Sequence, residues 1–342
     1  MNRRRIQRKA VAQVTAGRYP LWGAPKRHLR PANPRTRDAP VPKLAASPQL
    51  PEFGQIFLDH VAWMVPDISQ AAPVFERLGF PLTPYAIHGN REPDTGELNL
   101  VGSANRLAIL RRGYLEILTP VDGVDTPVTR HMRKALDHHT GVHLIAFTVS
   151  DASEATRQIA ARGFDLQPTV HLKRKVEAAD GTEAEAAFTV VRAAFELFPE
   201  ARAQVLTHHT PEHVWQDRYI ATQNGIVGLL EAAIVTADPI EAANRYARFV
   251  GRAVELDGNS LVVRLDRGQL RFVDARGGAE HFGRVSRPPM PAVGAITLTS
   301  EDLDKTRYFL LSNGLRLGAI NPTHLLIDES EALGVHIVIV QD

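Results

Sequence analysis

The sequence predicts an α+β protein built from four modules of the form β-α-β-β-β. One pattern occurs four times: an apolar strand, an aspartate or polar turn, an amphipathic helix, and a glycine where the helix ends. Strand-like segments follow each helix, with apolar residues in the alternation that a half-buried strand requires. The copies begin at Leu58, Gly141, Leu230 and Val293. Repetition at this spacing argues against unrelated α and β segments.

The elements of the four modules are predicted in chain order. In the first module we expect a strand, a helix, a further strand with a loop over the site, and two last strands (56–65, 69–78, 81–101, 105–110 and 113–119). In the second module we expect a strand at 142–149, a helix at 152–162, and strands at 165–170, 184–195 and 202–207. The third module should contain a strand at 229–236, a helix at 239–250, and strands at 253–256, 260–265 and 269–274. The fourth should contain a strand at 292–299, a helix at 303–312, and strands at 315–317, 324–327 and 335–341.

Each module has an apolar sheet face that it cannot cover alone, so the modules are expected to pair around curved mixed sheets. We predict two domains, residues 55–225 and 226–342. Proline-bearing connectors separate the modules, at 120–141, 210–228 and 276–291. Pro211 suits the first turn of a helix, with Thr210 as its cap.

The charge distribution separates an N-terminal extension from the rest of the chain. Residues 1–54 contain twelve Lys or Arg against Asp38 and Glu52, whereas the remainder contains 28 basic and 36 acidic residues. We predict that 1–54 is a disordered basic extension, because it is rich in proline and lacks apolar periodicity. Specific nucleic-acid binding is not expected from it.

Composition limits the classes of function. The chain has 342 residues, 44% of them hydrophobic, which suffices for about two domains with buried cores. It has no cysteine, which excludes disulfides and thiolate metal sites and favours a reducing cytoplasmic setting. No apolar run approaches the roughly 20 residues that cross a bilayer.

Three side chains on predicted strands point to a metal centre. His60 and His143 lie between apolar neighbours, and Ala232 and Ala295 take the histidine's place in the third and fourth copies. Glu116 interrupts an apolar strand, where a buried carboxylate needs a cation, donors or a proton. Two imidazoles and a carboxylate suit a divalent Fe, Mn, Ni, Co or Zn ion.

A different interpretation of the same residues stays open. His60 and His143 would then be core histidines bonded to backbone groups, with Glu116 paired to Arg106 or Arg111. A single histidine would favour it, whereas three candidate ligands at related positions favour metal.

Several motifs resemble the vicinal oxygen chelate superfamily, and within it the glyoxalase-like domain proteins. The resemblance covers residues 55–225 and is carried by Leu58-Asp59-His60, Pro66-Asp67-Ile68, Leu78-Gly79-Phe80, Ala104-Asn105-Arg106, Gly113-Tyr114-Leu115-Glu116 and the stretch Thr207 to Trp215. It implies paired modules with metal ligands on the first and last strand of each. Those positions are His60, Glu116 and His143, with Gln204 in the fourth corner where a glutamate is common.

The segments around this site supply further candidates. His208 or His209 is expected at the cavity mouth as an acid or base, one facing inward and one outward, and Trp215 is expected to line or cover it. Asn105 and Arg106 are candidate substrate ligands, with Arg106 binding a carboxylate or neutralising Glu116. The third and fourth modules, with Arg271 near the glutamate's place, are expected to form a metal-free copy that supports the site or forms a homodimer.

The resemblance implies a metal-dependent enzyme that chelates two adjacent oxygens of a small-molecule substrate and moves a proton, as in lyases and isomerases. An extradiol-type Fe(II) dioxygenase is a second hypothesis, although Gln204 stands where those enzymes have a carboxylate. A third is a protein that binds a small molecule without catalysis. The fold does not choose among these.

Overall fold

The computed structural model describes residues 49–91, 98–282, 290–321 and 323–342, and these residues contain four β-α-β-β-β modules. The first two modules contain β1 (Ile56–Met64), α1 (Ile68–Arg77), β2 (Ala86–Arg91), β3 (Leu98–Ile109) and β4 (Tyr114–Pro120), then α2 (Pro127–His138), β5 (Gly141–Val149), α3 (Ala152–Ala161), β6 (Val170–Glu177), β7 (Glu183–Arg192) and β8 (Arg202–His208). The last two contain β9 (Ile226–Val235), α4 (Pro239–Val250), β10 (Glu255–Asp257), β11 (Ser260–Arg264), β12 (Gln269–Val273), α5 (Ala275–Phe282), β13 (Ala292–Ser300), α6 (Leu303–Ser312), β14 (Leu317–Asn321), β15 (His324–Ile327) and β16 (His336–Gln341). The predicted module is therefore confirmed.

The strands form two sheets with the same internal order. The first is a closed barrel, β1-β4-β3-β2-β6-β7-β8-β5, and the second is an eight-stranded sheet, β10-β11-β12-β9-β13-β16-β15-β14. In both, the first strands of the two paired modules run antiparallel, and each lies parallel to the last strand of its own module. The predicted α+β fold with curved mixed sheets is confirmed.

The repeated aspartates begin the first helix of each module. The carboxylates of Asp67, Asp151, Asp238 and Asp302 each accept a hydrogen bond from a backbone N–H in the first turn. Such an N-cap contributes about 1 kcal/mol. At the far end of α1, Gly79 has the positive φ of +87° that the sequence predicts for a helix terminus.

One apolar core joins the outer faces of both sheets. Trp63 of β1 and Phe147 of β5 are fully buried in it, together with Tyr246 and Phe249 of α4. Trp63 Nε1 donates a hydrogen bond of 3.1 Å to the carbonyl oxygen of Ala332. Because this core uses the outward side chains, the inward side chains of the barrel are left to line a separate interior.

Several predicted segments differ in the structure. Residues 165–170 do not form a strand, because Pro168 has no N–H to donate, and β6 runs over Val170–Glu177 instead. The connector 120–141 contains α2, which begins at Pro127 with Thr126 as its N-cap. Pro211 begins a short 3₁₀ helix as expected, but Thr210 does not cap it; its hydroxyl accepts from Ala187 N.

Two other predictions are not tested. The extension 1–54 lies outside the described residues except for 49–54. The boundary between residues 55–225 and 226–342 falls between the two sheets, but the division into domains stays a prediction. Among the described residues, no helix combines the length and apolar character needed to cross a membrane.

Candidate functional site

The barrel of β1–β8 surrounds a cavity lined by both apolar and polar side chains. The space open to water-sized groups is about 80 Å³, several times the roughly 10–15 Å³ that one water molecule needs, so the cavity suits a small compound. The polar side chains on its wall are His60, His88, Ser103, Asn105, Tyr114, Glu116, Arg174, Arg192, Arg202 and Gln204. The predicted His60, Asn105, Glu116 and Gln204 are thus brought together.

The strand register shows which positions of the modules are equivalent. His60 pairs with Ala146 and Ala62 with Leu144 across the antiparallel β1–β5 contact. This pattern has a pseudo-two-fold axis that exchanges His60 with Leu144. Both residues lie seven positions before the N-cap aspartate of their helix.

The parallel pairs support the same equivalence. Ala62 lies beside Glu116 and Ala146 beside Gln204. Because Ala62 and Ala146 are exchanged by the axis, Gln204 is the counterpart of Glu116, in agreement with the predicted fourth corner.

His143 therefore does not belong to the cavity wall. A shift of one residue along a strand moves a side chain to the other face of the sheet. His143 Nε2 lies 2.9 Å from the backbone oxygen of His139, and the ring lines a different, outer cavity. The structure does not bring His143 together with His60 and Glu116.

The second sheet has a different pair at the corresponding positions. Glu231 and Ala295 lie seven residues before their N-cap aspartates, so Glu231, and not the predicted Ala232, is the counterpart of His60. Arg271 pairs with Ala233 in the parallel register and takes the place of Glu116. Arg271 Nε lies 3.0 Å from Glu231 Oε2, so these two buried charges neutralise each other.

Asp59 orients His60 from behind. A register shift between Leu58 and His60 lets the side chains of both Asp59 and His60 point away from the apolar core. Asp59 Oδ2 lies 2.6 Å from His60 Nδ1, and Asp59 Oδ1 lies 3.0 Å from His208 Nε2. Burial raises the pKa of Asp59, but the charge and hydrogen bond of His208 and those of His60 outweigh it and hold the pKa well below its usual range. Asp59 is therefore a buried carboxylate anion between two imidazoles.

Tyr114 covers one face of His60. The two rings are stacked with centroids 4.3 Å apart and planes inclined by 18°. Burial, followed by the charges of Asp59 and Glu116, raises the pKa of Tyr114 well above its usual value. Tyr114 thus remains a protonated phenol that fixes the imidazole plane.

Glu116 faces His60 across the cavity wall. Glu116 Oε2 lies 3.5 Å from His60 Nε2, and Glu116 Oε1 accepts a 2.6 Å hydrogen bond from Asn105 Nδ2. Asn105 Oδ1 in turn accepts a 3.3 Å hydrogen bond from Arg174 Nη1. Neither Arg106 nor Arg111 pairs with Glu116: Arg106 pairs with Glu76 and Arg111 with Glu301.

Three arginines on neighbouring strands give the cavity a cationic wall. Arg174 and Arg202 are each only 8% exposed. Arg192 Nε and two nitrogens of Arg202, Nε and Nη2, are buried with no hydrogen-bond partner in the described structure. Burial and the nearby Arg192 lower the pKa of Arg202 to about 9. Buried donors without partners are costly, and an anion that accepted their hydrogen bonds would remove the cost.

His88 is a neutral member of the wall. Its Nδ1 lies 2.9 Å from Ser103 Oγ. Burial lowers the pKa of His88 to about 4, with the charges of Arg174 and Arg192 adding to this effect and Glu116 opposing it. His88 therefore carries no charge near pH 7.

Of the two histidines at the end of β8, His208 is buried and His209 is exposed, and neither lines the barrel cavity as the sequence predicted. His208 is buried against Asp59, and its Nδ1 has no partner among the described residues. His209 is exposed and lies 2.7 Å from Thr189 Oγ1.

Two other predicted residues lie outside the cavity wall. Arg106 faces away, donating to Thr83 O at 2.8 Å and pairing with Glu76. Trp215 packs behind His208, with ring centroids 4.8 Å apart.

Asp59, His88 and the three arginines were not predicted as site residues from the sequence. Arg202 lies two residues before Gln204, so strand alternation was a usable signal for it. Arg174 stands between Lys173 and Lys175, which resembles a solvated strand. Asp59 gave no signal, because the register shift that turns it inward is not visible in the sequence.

The donor set does not fit the predicted divalent metal. His60, Glu116 and the weak neutral ligand Gln204 share the cavity, but Leu144 occupies the position of a fourth ligand. In the part of the chain that the structure describes, no cluster of three or more His, Asp and Glu side chains is arranged to hold an ion. Three buried guanidinium groups beside a single carboxylate also oppose a cation in this cavity.

The chain matches the model of a known protein family. The family model described as "Glyoxalase-like domain" matches residues 58–250, more than half of the chain. The chain belongs to the glyoxalase-like domain family. The resemblance predicted from the sequence is confirmed. No curated protein matches the chain.

Solved structures share the fold of this glyoxalase-like protein. A hypothetical protein from Staphylococcus aureus superimposes with a TM-score of 0.58 at 8% identity, over 84% of this chain and 100% of the other. A xylose isomerase-like TIM barrel/4-hydroxyphenylpyruvate dioxygenase fusion protein gives 0.53 at 14% identity, over 88% of this chain and 51% of the other. A mutant of 4-hydroxymandelate synthase from Streptomyces coelicolor gives 0.50 at 13%, over 84% and 92%. At these identities the likeness concerns the fold.

Proposed function

We propose that the barrel cavity binds a small oxygenated carboxylate and moves a proton at the carbon next to its carbonyl group, without a metal ion. This keeps the proton-transfer chemistry expected of a lyase or isomerase but replaces the metal by arginines. The observation that carries the proposal is one cavity wall that combines His60, backed by Asp59, with unpartnered donors of Arg192 and Arg202.

His60 Nε2 is the proton acceptor in this proposal. A proton on Nε2 makes the ring a cation that faces a carboxylate at each nitrogen, Asp59 at 2.6 Å and Glu116 at 3.5 Å. Both contacts stabilise the protonated ring, and Asp59 also fixes its orientation and tautomer. Asn105 donates a hydrogen bond to the other oxygen of Glu116, which fixes the position of this carboxylate beside His60.

The arginines stabilise the negative charge that develops when the C–H bond breaks. The electron pair of that bond forms a carbon–carbon double bond, and the carbonyl π pair moves to oxygen, giving an enolate. Guanidinium donors of Arg192 and Arg202 would hold the substrate carboxylate and this oxyanion in a site shielded from water. The reverse steps return a proton to the same carbon, so atoms and charges balance.

Deuterium exchange tests the proposal directly. The protein is treated with a chelator and incubated in D₂O with pyruvate or 2-oxobutyrate, and with neutral dihydroxyacetone as a control. Proton NMR should show loss of the C–H signal next to the ketone for the acids, and much slower loss for the neutral compound.

His60→Gln should lower the exchange rate by about 10²–10⁴, the usual contribution of a general base. Exchange that disappears with the chelator and returns with a divalent metal would contradict the metal-free mechanism. Binding of pyruvate without exchange would instead support the non-catalytic hypothesis.

A further inference from the structure

A second cavity adjoins the barrel site through Arg202. This outer groove, of about 520 Å³, is lined by α2, the start of β5, residues 195–202 and Met290. Arg202 is the one residue, among those described, that lines both this groove and the barrel cavity. The side chain of Arg202 therefore borders both spaces.

The outer groove has an aromatic wall. The guanidinium carbon of Arg202 lies 4.8 Å from the centroid of the Phe195 ring, and the ring of His131 stacks on Phe195 with centroids 4.1 Å apart. His139 and His143 form a further pair with centroids 4.2 Å apart. Planar rings at stacking distance are typical of surfaces that hold another planar ring.

These imidazoles are uncharged near pH 7. Burial lowers the pKa of His131 and of His139 to about 4, helped by Arg202 for the first and by His143 for the second. Burial also lowers the pKa of His143. The buried Glu200 on the same wall is neutralised by Arg245 at 2.7 Å. Arg202 is thus the buried charge of the groove that lacks a counter-ion.

Both ring nitrogens of His139 are buried without a hydrogen-bond partner in the described structure, as are Nε and Nη2 of Arg202. Native proteins leave few such groups unsatisfied. Their position in one groove indicates a ligand that has a polar edge as well as a flat apolar body.

We propose that the outer groove binds the aromatic ring of an aryl carboxylate whose carboxylate group is held by Arg202. This rests on the proposed function for the acid group and adds the class of substrate. The barrel cavity has room only for the small reacting part, whereas the groove is large enough for one or two fused rings.

Calorimetric titration with acetate, benzoate and 2-naphthoate tests this assignment. Wild-type protein should bind 2-naphthoate about tenfold more tightly than acetate, and acetate should compete with it because both need Arg202. Arg202→Gln should weaken both by tenfold or more. His139→Ala should remove most of the preference for 2-naphthoate while acetate affinity stays the same.

A matched histidine supplies the control. His209→Ala changes an exposed residue directly after β8 and should leave all affinities unchanged. The imidazole NMR signals of wild-type protein that shift when 2-naphthoate is added should include those of His139, which are absent from His139→Ala. Equal wild-type affinities for acetate and 2-naphthoate, or an unchanged preference in His139→Ala, would overturn the aryl assignment.

The two proposals fail in different measurements. Absence of deuterium exchange in wild-type protein would contradict proton transfer. The titrations would still decide whether the groove binds an aromatic acid. Exchange of pyruvate without any preference for aromatic acids keeps the proposed function and rejects the aryl substrate.

Discussion

The carboxylate of Asp59 is shared by two imidazoles, with His60 Nδ1 at 2.6 Å from one oxygen and His208 Nε2 at 3.0 Å from the other. Asp59 and the His208 ring have no exposed surface. Neither His60 nor His208 can turn without breaking a hydrogen bond to a buried charge. This arrangement pre-organises His60 towards the cavity.

Asp59→Asn should therefore reduce activity more than stability. The amide removes the charge that favours a protonated His60 ring, and it offers an N–H to an imidazole nitrogen. We expect deuterium exchange to fall by about 10²–10⁴ and the free energy of unfolding to fall by about 1–3 kcal/mol. Asp67→Asn is the matched control, because asparagine caps a helix about as well as aspartate. Equal exchange rates in the two variants would show that Asp59 does not support a base.

Variants of His60 and Glu116 should separate their roles. His60→Gln removes the proton acceptor, whereas Glu116→Gln keeps the shape and removes only one of two carboxylates that stabilise the protonated ring. The rate of exchange should fall by about 10²–10⁴ in the first and by about tenfold in the second. A larger loss in Glu116→Gln would make Glu116 the base instead.

His88 should make the protein less stable in mild acid. Its pKa is about 4 in the folded protein, against the ordinary histidine value of 6.5, so between these values the unfolded chain binds more protons. The free energy of unfolding consequently falls as the pH falls from 6.5 to 4, by about 3 kcal/mol from this residue. Urea titrations of wild-type protein and His88→Gln at pH 7.5 and 4.5 measure the effect. The pH-dependent loss should be smaller in the variant by about that amount, and an identical loss would contradict the assignment.

The fold was predictable because it depends on local signals that repeat. Aspartates such as Asp67 and Asp151 mark where helices begin, and glycines such as Gly79 mark where they end. Each signal reflects the needs of a helix terminus and does not depend on the rest of the chain. The sheets then follow from the apolar alternation of the strands.

The site was predictable only in part because it depends on register. His60 lies seven residues before Asp67, whereas His143 lies eight residues before Asp151. The extra residue indicates that Leu144, not His143, is the counterpart of His60. This signal was present in the sequence, whereas the inward turn of Asp59 arises from a β-bulge that tertiary packing fixes.

Leu144→His tests the register and the metal argument together. The pseudo-two-fold axis places residue 144 opposite His60, so the new imidazole should join His60, Glu116 and Gln204 on the same wall. Combined with Gln204→Glu, the substitution supplies two imidazoles and two carboxylates, a donor set that binds Zn or Ni. We expect metal retention after dialysis to rise from a small fraction to about one ion per chain.

Gln204→Glu alone and His143→Ala are the matched variants for this experiment. Gln204→Glu should gain little metal because its site still lacks a second imidazole, and His143→Ala should change nothing because its ring lies outside the barrel. Far-UV circular dichroism would verify that every variant is folded. If the double variant is folded and takes up no more metal than wild-type protein, residues 60 and 144 are not counterparts, or the three arginines exclude a cation even from a complete donor set. Repeating the measurement with Arg202→Gln added decides between these, because that change lowers the positive charge of the cavity without altering the register.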